Sequence, residues 1–465
     1  MKTNSKRINV IYLAVKTVLS VVIFAGFFYY YSSQAQSLDS RYYFDEYAWI
    51  GRSHYFELLL KGDLSNPRWD VIHRDGDPRL SSYIFGMFIY PDYLREKHKS
   101  DGGFDMVRYL IQRNVYEQRF MNEETHNAYS GYLSNKKLFW KPSYADSKKL
   151  NDLLVTYGQN FNDTISLIFR ARMASVLLSS ISVVVVFLLY SKLFKSTVMG
   201  LILTLLYGLS SLIVTYGTIA YTEPLYLLLT NLILLITVYI VTSKKYPVFY
   251  TILLTVFLAL LNQTKLNGVL MLIITYSLVF IKHLVKNIRL ILITLFGLIN
   301  IFALVYIGTN PTLYKQPLNR IIKQYEWTFM VNIDQQSDKI FENHILNSPY
   351  QRFEFINDYF TSPQHRSIRP KFLTDKEVAK VYVAIYSFLI FLGLTKSVID
   401  IGRQKSINAV NSTVVIGVVI YISLLFYVTL AWERYLIGLV FFIVFFIGQG
   451  VSLILNTVKN SIRRK

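Results

Sequence analysis

At 465 residues, with 53% of them hydrophobic and a mean hydropathy of +0.34, the chain carries more apolar sequence than a soluble enzyme of this length buries. The net charge of +20 would fit nucleic-acid binding only if the basic residues formed a patch, and their distribution along the chain excludes that. Cysteine is absent, which excludes disulfides, thiolate metal sites and a cysteine nucleophile.

A bilayer core needs about 20 predominantly apolar residues per helix. Ten windows meet this, at 8–31, 169–191, 197–216, 219–241, 247–264, 267–284, 288–308, 379–396, 411–431 and 435–456. The first runs into Tyr29, Tyr30 and Tyr31, which suit a membrane interface, and it lacks a convincing small-residue cleavage site. It reads as an uncleaved anchor, with Lys16 expected to snorkel inward. With the N-terminus cytoplasmic, the cytoplasmic segments hold seventeen Lys and Arg and one acid, Asp400. Residues 32–168 on the other side hold 17 basic and 18 acidic residues, and 309–378 hold 9 and 8. Basic residues retained on the cytoplasmic side account for this asymmetry, so no nucleic-acid partner is expected.

The expected organisation is an all-α polytopic membrane protein with both termini cytoplasmic. It comprises a cytoplasmic N-terminus and first span (1–31), a large first extracytoplasmic loop with interfacial helices (32–168) and spans two to seven (169–308). A second extracytoplasmic loop (309–378) and spans eight to ten with a basic tail (379–465) complete it.

In the first loop, 45–61 reads as one amphipathic helix, with Trp49, Phe56, Leu59 and Leu60 facing the membrane surface and Gly62-Asp63 ending it. Two readings of Asp45 stay open. A carboxylate at a helix start satisfies free backbone N–H groups, and one partly buried beside a lipid headgroup has the pKa of a general base. Asp77-Pro78 precedes an apolar run of about a dozen residues, too short to span and expected to rest in the interface. Ionisable groups at membrane depth are costly and therefore functional candidates. Here they are Glu223 at the start of the fourth span, Lys265 between the fifth and sixth, and Glu433 with Arg434 between the ninth and tenth. The topology puts all four at the outer face.

Taken together, these features resemble the GT-C fold membrane glycosyltransferases that use polyprenyl-phosphate sugars, in the branch of protein O-mannosyltransferases and bacterial aminoarabinose-type transferases. The resemblance rests on an order of motifs over most of the chain. Phe44-Asp45-Glu46 follows the first span, then come Gly62-Asp63, Asp77-Pro78-x-Leu80, Arg170-x-Arg172, Glu223, Thr264-Lys265-x-x-Gly268 and Glu433-Arg434-Tyr435. The family's second proline in the Asp77-Pro78-Arg79-Leu80 motif is missing, and so is the Trp-Trp-Asp signature of oligosaccharyl transferases, which disfavours asparagine as acceptor.

The resemblance implies sugar transfer from a polyprenyl-phosphate donor to a hydroxyl of a protein, lipid or glycan, with inversion, at a bacterial or archaeal plasma membrane. It implies Asp45 as catalytic base, Lys265 and Arg434 as donor-phosphate ligands, and Glu46, Asp77 and Glu223 as acceptor-contacting or site-orienting residues. For Glu223, pairing with one of the cations is an equal reading. Some family members hold a divalent cation, for which Asp45, Glu46 and Asp77 are the available ligands; others need none, and neither a metal nor another cofactor is expected. By position, the 309–378 loop is expected to govern acceptor choice. The rival readings are a transporter or flippase for lipid-linked sugars and an inactive scaffold subunit.

Overall fold

The computed structural model describes residues 2–37, 46–70, 79–99, 104–113, 161–244, 247–265, 268–283, 288–326, 344–362, 368–370, 372–373, 375–403 and 408–464. Among these the chain is helical, with extended pairing limited to the isolated bridges Ser210–Pro370 and Ile345–Leu430. Six helices are long and apolar enough to cross a membrane, which makes this an integral membrane protein of α-helical type. They are α1 (Lys2–Ser37), α6 (Phe161–Leu193), α9 (Glu223–Thr242), α15 (Lys376–Arg403), α16 (Ala409–Tyr427) and α17 (Leu439–Arg464).

Four further apolar helices are shorter: α7 (Thr197–Leu209), α10 (Val248–Asn262), α11 (Gly268–His283) and α12 (Ile288–Gly308), whose apolar part is Leu292–Gly308. They occupy the remaining four apolar windows of the sequence. The window 197–216 is not one helix, because α7 stops at Ser210 and α8 (Ser211–Gly217) begins anew. Ser210 has extended backbone angles, its hydroxyl donates to the Tyr207 carbonyl (2.8 Å), and the Ser211 N–H donates to the Arg369 carbonyl (3.0 Å). Outside chain thus supplies the partner that the broken ladder lacks.

Contacts tie these short helices to the ends of the longer ones. The end of α10 lies beside the start of α9, where Lys265 meets Glu223, and the end of α11 lies beside the end of α9, where His283 meets the Ile240 carbonyl at 2.9 Å. At the first of these ends, the Gln263 amide donates to the Tyr306 carbonyl of α12 (2.6 Å), and the Tyr31 hydroxyl of α1 donates to the Gly208 carbonyl of α7 (2.7 Å).

Burial separates core spans from peripheral ones. The apolar windows of α6, α9 and α17 are 67%, 67% and 61% buried, against 11% for α1 and 22% for α15. The outward side chains of the peripheral helices, among them Leu13, Val18, Val22, Ile385, Phe388 and Phe391, are large and apolar, as a lipid-facing surface requires. Between core helices, small residues and hydrogen bonds hold the contact. A Cβ built on Gly393 of α15 would overlap the Phe446 carbonyl oxygen, and one on Gly450 of α17 would overlap that of Leu389, so these backbones touch. Asn231 of α9 donates to the Ser182 hydroxyl (2.9 Å) and to the Tyr207 hydroxyl (3.2 Å). The Tyr190 hydroxyl donates to the Phe441 carbonyl (2.7 Å) while the two rings stack.

A helical cap formed by the first loop covers one end of the bundle, termed here the loop end. It contains α2 (Glu46–Gly51), α3 (His54–Leu60), α4 (Leu80–Lys97) and α5 (Met106–Gln112). The single helix expected over 45–61 is divided, since the Ser53 N–H and hydroxyl both bond to the Ile50 carbonyl and close a tight turn after Gly51. Its expected end holds: Gly62, at φ +64, and Asp63 return N–H bonds to Leu59 and Leu58. The apolar run after Asp77-Pro78 becomes an 18-residue helix rather than one of about a dozen residues, because α4 continues through Pro91 to Lys97. Glu57 of α3 ties the cap together: it is buried, accepts from the Tyr93 hydroxyl (2.6 Å) and the Met106 N–H (2.9 Å), and pairs with Lys61 (2.7 Å). Burial, and then that bond to Glu57, push the Tyr93 phenol well above its ordinary pKa, so it remains a donor.

Candidate functional site

The site at the loop end is assembled from helix termini. Glu223 opens α9, preceded by Thr222 and followed by Pro224, a residue order that starts helices and puts a carboxylate at the positive end of the helix dipole. Lys265 lies just past the end of α10, where a cation is favoured, and its N–H closes onto the Leu261 carbonyl (2.9 Å). Because α9 and α10 are antiparallel neighbours, these two ends coincide, and Lys265 Nζ lies 2.8 Å from Glu223 Oε1. The Glu223 side chain is 3% exposed and that of Lys265 21% exposed, so the lysine is the member open to a ligand. The Thr222 hydroxyl donates to the second Glu223 oxygen (3.2 Å).

Arg434 arrives from the short 3-10 turn Glu433–Leu436 that joins α16 to α17. Its guanidinium sits 4.4 Å from the Trp432 ring centroid, 5.7 Å from Tyr435 and 6.0 Å from Tyr221, held among aromatic faces. Arg434 is the second cation acting electrostatically on Glu223. Lys265 pairs directly with this buried carboxylate, and the charge of Arg434 also acts on it.

The turn is itself fixed by the second loop. Tyr359 of α14 (Pro349–Thr361) donates to Glu433 (2.9 Å), the Ala431 N–H donates to His344 (2.8 Å), and Arg352 donates to the Leu425 and Phe426 carbonyls at the end of α16 (3.0 Å each). Burial and the Glu433 carboxylate both push the Tyr359 phenol far above its ordinary pKa.

Glu46 is fully buried. It accepts Arg172 Nε (2.8 Å) and Nη2 (2.6 Å) in a two-pronged fork, and its Oε1 also accepts the Ala220 N–H (2.8 Å). A third nitrogen of Arg172 donates to the Ala35 carbonyl at 3.3 Å. One ion pair thereby locks the end of α1, the start of α2, α6 and the turn before α9. Both oxygens of Glu46 being engaged, it fits poorly as a metal ligand. Asp45 and Asp77 lie outside the described residues, and among the described residues no group of three or more His, Asp or Glu side chains is placed to hold a metal ion.

The structure brings together Glu223, Lys265 and Arg434, and puts Glu46 near them through the Ala220 contact. Sequence reasoning missed three contributors. Arg172 was visible only as part of a motif, without a role. Arg79, beside Asp77-Pro78, is 2% exposed with its guanidinium 4.2 Å from the Tyr55 ring, and the N–H of its neighbour Leu80 reaches the Gln263 carbonyl (3.4 Å). The aromatic frame around Arg434 is spread over two segments distant in sequence, which no spacing rule connects.

Three residues before Lys265, Asn262 borders an apolar cleft of about 220 Å³ between α10, α11, α12 and α13 (317–326). Phe302, Ala303, Ile307 and Ile321 line it, and the Asn262 side-chain oxygen at its edge is buried with no hydrogen-bond partner among the described residues. In comparisons with protein-family models, with curated proteins and with solved structures, nothing matches the chain.

Proposed function

We propose that this protein is a ten-span membrane glycosyltransferase of GT-C type, moving a sugar from a polyprenyl-phosphate donor to a hydroxyl acceptor at the extracytoplasmic face. The observation that carries the reading is the Lys265–Glu223 pair, on whose carboxylate the charge of Arg434 also acts, at the end of the bundle capped by the first loop and beside an apolar cleft. A phosphate with a long hydrocarbon tail needs these two elements in this order. Counting the four shorter helices as spans is supported by the contacts of α10 and α11 with the two ends of α9, and ten spans would put both termini on one side.

In this reading the acceptor hydroxyl attacks the anomeric carbon as Asp45 takes its proton. The bond from that carbon to the phosphate oxygen breaks, and the electron pair leaves with the polyprenyl phosphate. Lys265 supplies a point charge and Arg434 a fork to the departing phosphate, and such preorganised donors are worth about 10²–10³ in rate each. Glu223 holds Lys265 in position. Glu46, locked to Arg172 and next to Asp45 in sequence, is the site-orienting residue on this side, and Asp77 orients the acceptor.

Donor kinetics test the phosphate assignment. Lys265→Gln and Arg434→Gln are expected to lower kcat/KM for a polyprenyl-phosphate sugar by about a hundredfold each; full retention by both variants overturns it. A transporter reading draws on one observation, the break between α7 and α8 at Ser210, since broken helices recur in transporters. It requires sugar-lipid movement across a vesicle membrane with no new glycosidic bond, and product analysis separates the two.

A further inference from the structure

At the end of the bundle opposite the cap, two lysines are brought to one level on neighbouring helices. Helix α1 runs toward the cap and α6 runs away from it, and at the cap Arg172 ties them by its bond to the Ala35 carbonyl (3.3 Å). Lys16 lies 19 residues before Ala35, and Lys192 lies 20 residues after Arg172. At about 1.5 Å of rise per residue, each sits about 30 Å from that tie. The charge of Lys16 acts on Lys192 accordingly. Lys16 is the fourth residue of the apolar span of α1 and Lys192 the last but one of that of α6, so the pair lies at the membrane boundary.

An aromatic ring, rather than a carboxylate, holds Lys192. Its Nζ lies 3.6 Å from the Tyr239 ring centroid, and Tyr239 stacks on Tyr250 with centroids 5.9 Å apart. A ring face attracts a cation without carrying charge, so the positive charges stay in place. The chain has no acid to offset them here. The stretches 2–20, 190–200, 239–250 and 282–287 contain neither Asp nor Glu, and nor do the undescribed residues adjoining this end, 245–246, 284–287 and 404–407. Asp400, on α15, pairs with Lys396 (2.9 Å). This imbalance is a property of the sequence, whatever hydrogen bonds each ammonium makes. Lys195 and Lys244, both exposed, follow on the links that leave α6 and α9 and add charge of the same sign.

Like charges repel more strongly beside hydrocarbon than in open water, because the dielectric there is lower. An anion shared by the two lysines removes that repulsion. We propose that Lys16 and Lys192 hold the headgroup of an anionic phospholipid in the leaflet at this end of the bundle. The phosphate supplies the negative charge that these segments lack. From the pair toward the middle of the membrane, α1 presents exposed Val18 and Val22, an apolar face for the acyl chains. Tyr239 and Tyr250, each over a third exposed, have the character of rings at the headgroup level. A lipid meets both features at once, whereas a soluble anion uses only the charge. The proposal does not depend on the sugar-transfer reading.

Because the chain has no native cysteine, a fluorophore on Phe249→Cys, beside Tyr250, reports this place alone in the full-length protein. The labelled protein is placed in phosphatidylcholine nanodiscs, and brominated phosphatidylglycerol or brominated phosphatidylcholine is introduced as quencher. Quenching by the phosphatidylglycerol is expected to saturate with an affinity about tenfold or more above that of the phosphatidylcholine, since each lysine near the surface contributes about fivefold. Lys16→Gln with Lys192→Gln is expected to remove the preference, and Lys16→Arg with Lys192→Arg to keep it. The same label on Val381→Cys, near the start of α15, is expected to show none. Equal quenching by the two lipids in the parent overturns the proposal, as does a preference unchanged by the charge-removing pair in protein that elutes as the parent does on size exclusion. Loss of the preference on adding an equimolar amount of soluble glycerol phosphate also overturns it, since the occupant is then a free anion.

Discussion

The Glu46–Arg172 fork shows how much a single buried pair can hold in this molecule. Both partners are nearly inaccessible, so removing either leaves an uncompensated charge, which costs about 3–5 kcal/mol. Arg172→Gln is therefore expected to lower the thermal midpoint in detergent markedly. Replacing both partners, Glu46→Gln with Arg172→Gln, is expected to cost less than the sum of the single changes, and a double-mutant cycle on the melting curves reads the coupling. A strictly additive result removes the fork from the account.

The charges of the site were legible because they interrupt apolar sequence: Glu223, Lys265 and the Glu433-Arg434 pair each lie between hydrophobic runs, where an ionisable side chain is conspicuous. Glu57 and Arg172 were not, since each owes its role to a partner distant in sequence.

At the scale of elements, the contact of α15 with α17 is the tightest helix crossing, with Gly393 and Gly450 each against a facing carbonyl. Adding a side chain here has no flexible neighbour to displace. Gly393→Val is expected to destabilise by about 1–3 kcal/mol and to reduce the monodisperse yield on size exclusion, whereas Gly402→Val, where open space surrounds the residue, is expected to match the parent.

In the cap, Asp105 joins α5 to the Pro67–Asp70 turn, accepting the Arg108 N–H (2.9 Å) and the Arg68 guanidinium (3.1 Å). Burial works against the charged form, and these two partners overcome it, holding the carboxyl below its ordinary value. Its contribution is present above the unfolded pKa of about 3.9 and is lost as pH falls through the lower folded value. Hydrogen exchange at α5 is expected to speed up below about pH 4 in the parent relative to Asp105→Asn, in which the proton-linked contact is already gone.

Hydropathy located the apolar elements correctly and misjudged their continuity. Nothing in Leu209-Ser210-Ser211-Leu212 announces a break, for it contains neither Gly nor Pro; the break exists because the backbone at 369 lies beside it to accept the freed N–H. The turn at Ser53 is likewise set by a local hydroxyl contact within a segment whose apolar pattern runs on through it.

Across the whole molecule, the proposed ten-span topology rests on the order of charges along the chain and on the packing of the short helices. The absence of native cysteine makes it directly testable, since each introduced cysteine is the sole label. In sealed vesicles, Lys61→Cys in the cap and Lys459→Cys near the end of α17 are expected to react with a membrane-impermeant maleimide from opposite sides. Labelling of both from the same side contradicts the ten-span arrangement. The fold class was legible because lipid imposes helices and long apolar runs on any sequence that crosses it. The meeting of α9, α10 and the α16–α17 turn was not, because packing among uniformly apolar helices is decided by shape rather than by pattern.

The central claim is that this assembly forms a glycosidic bond, and it is tested most directly by incubating purified protein with polyprenyl-phosphate sugars and a panel of hydroxyl acceptors. Release of polyprenyl phosphate together with an inverted glycoside is expected, with a fall of about 10²–10⁴ in that rate for folded Asp45→Asn. Undiminished transfer by the variant, or movement of the intact sugar-lipid across the bilayer without any new bond, would contradict it.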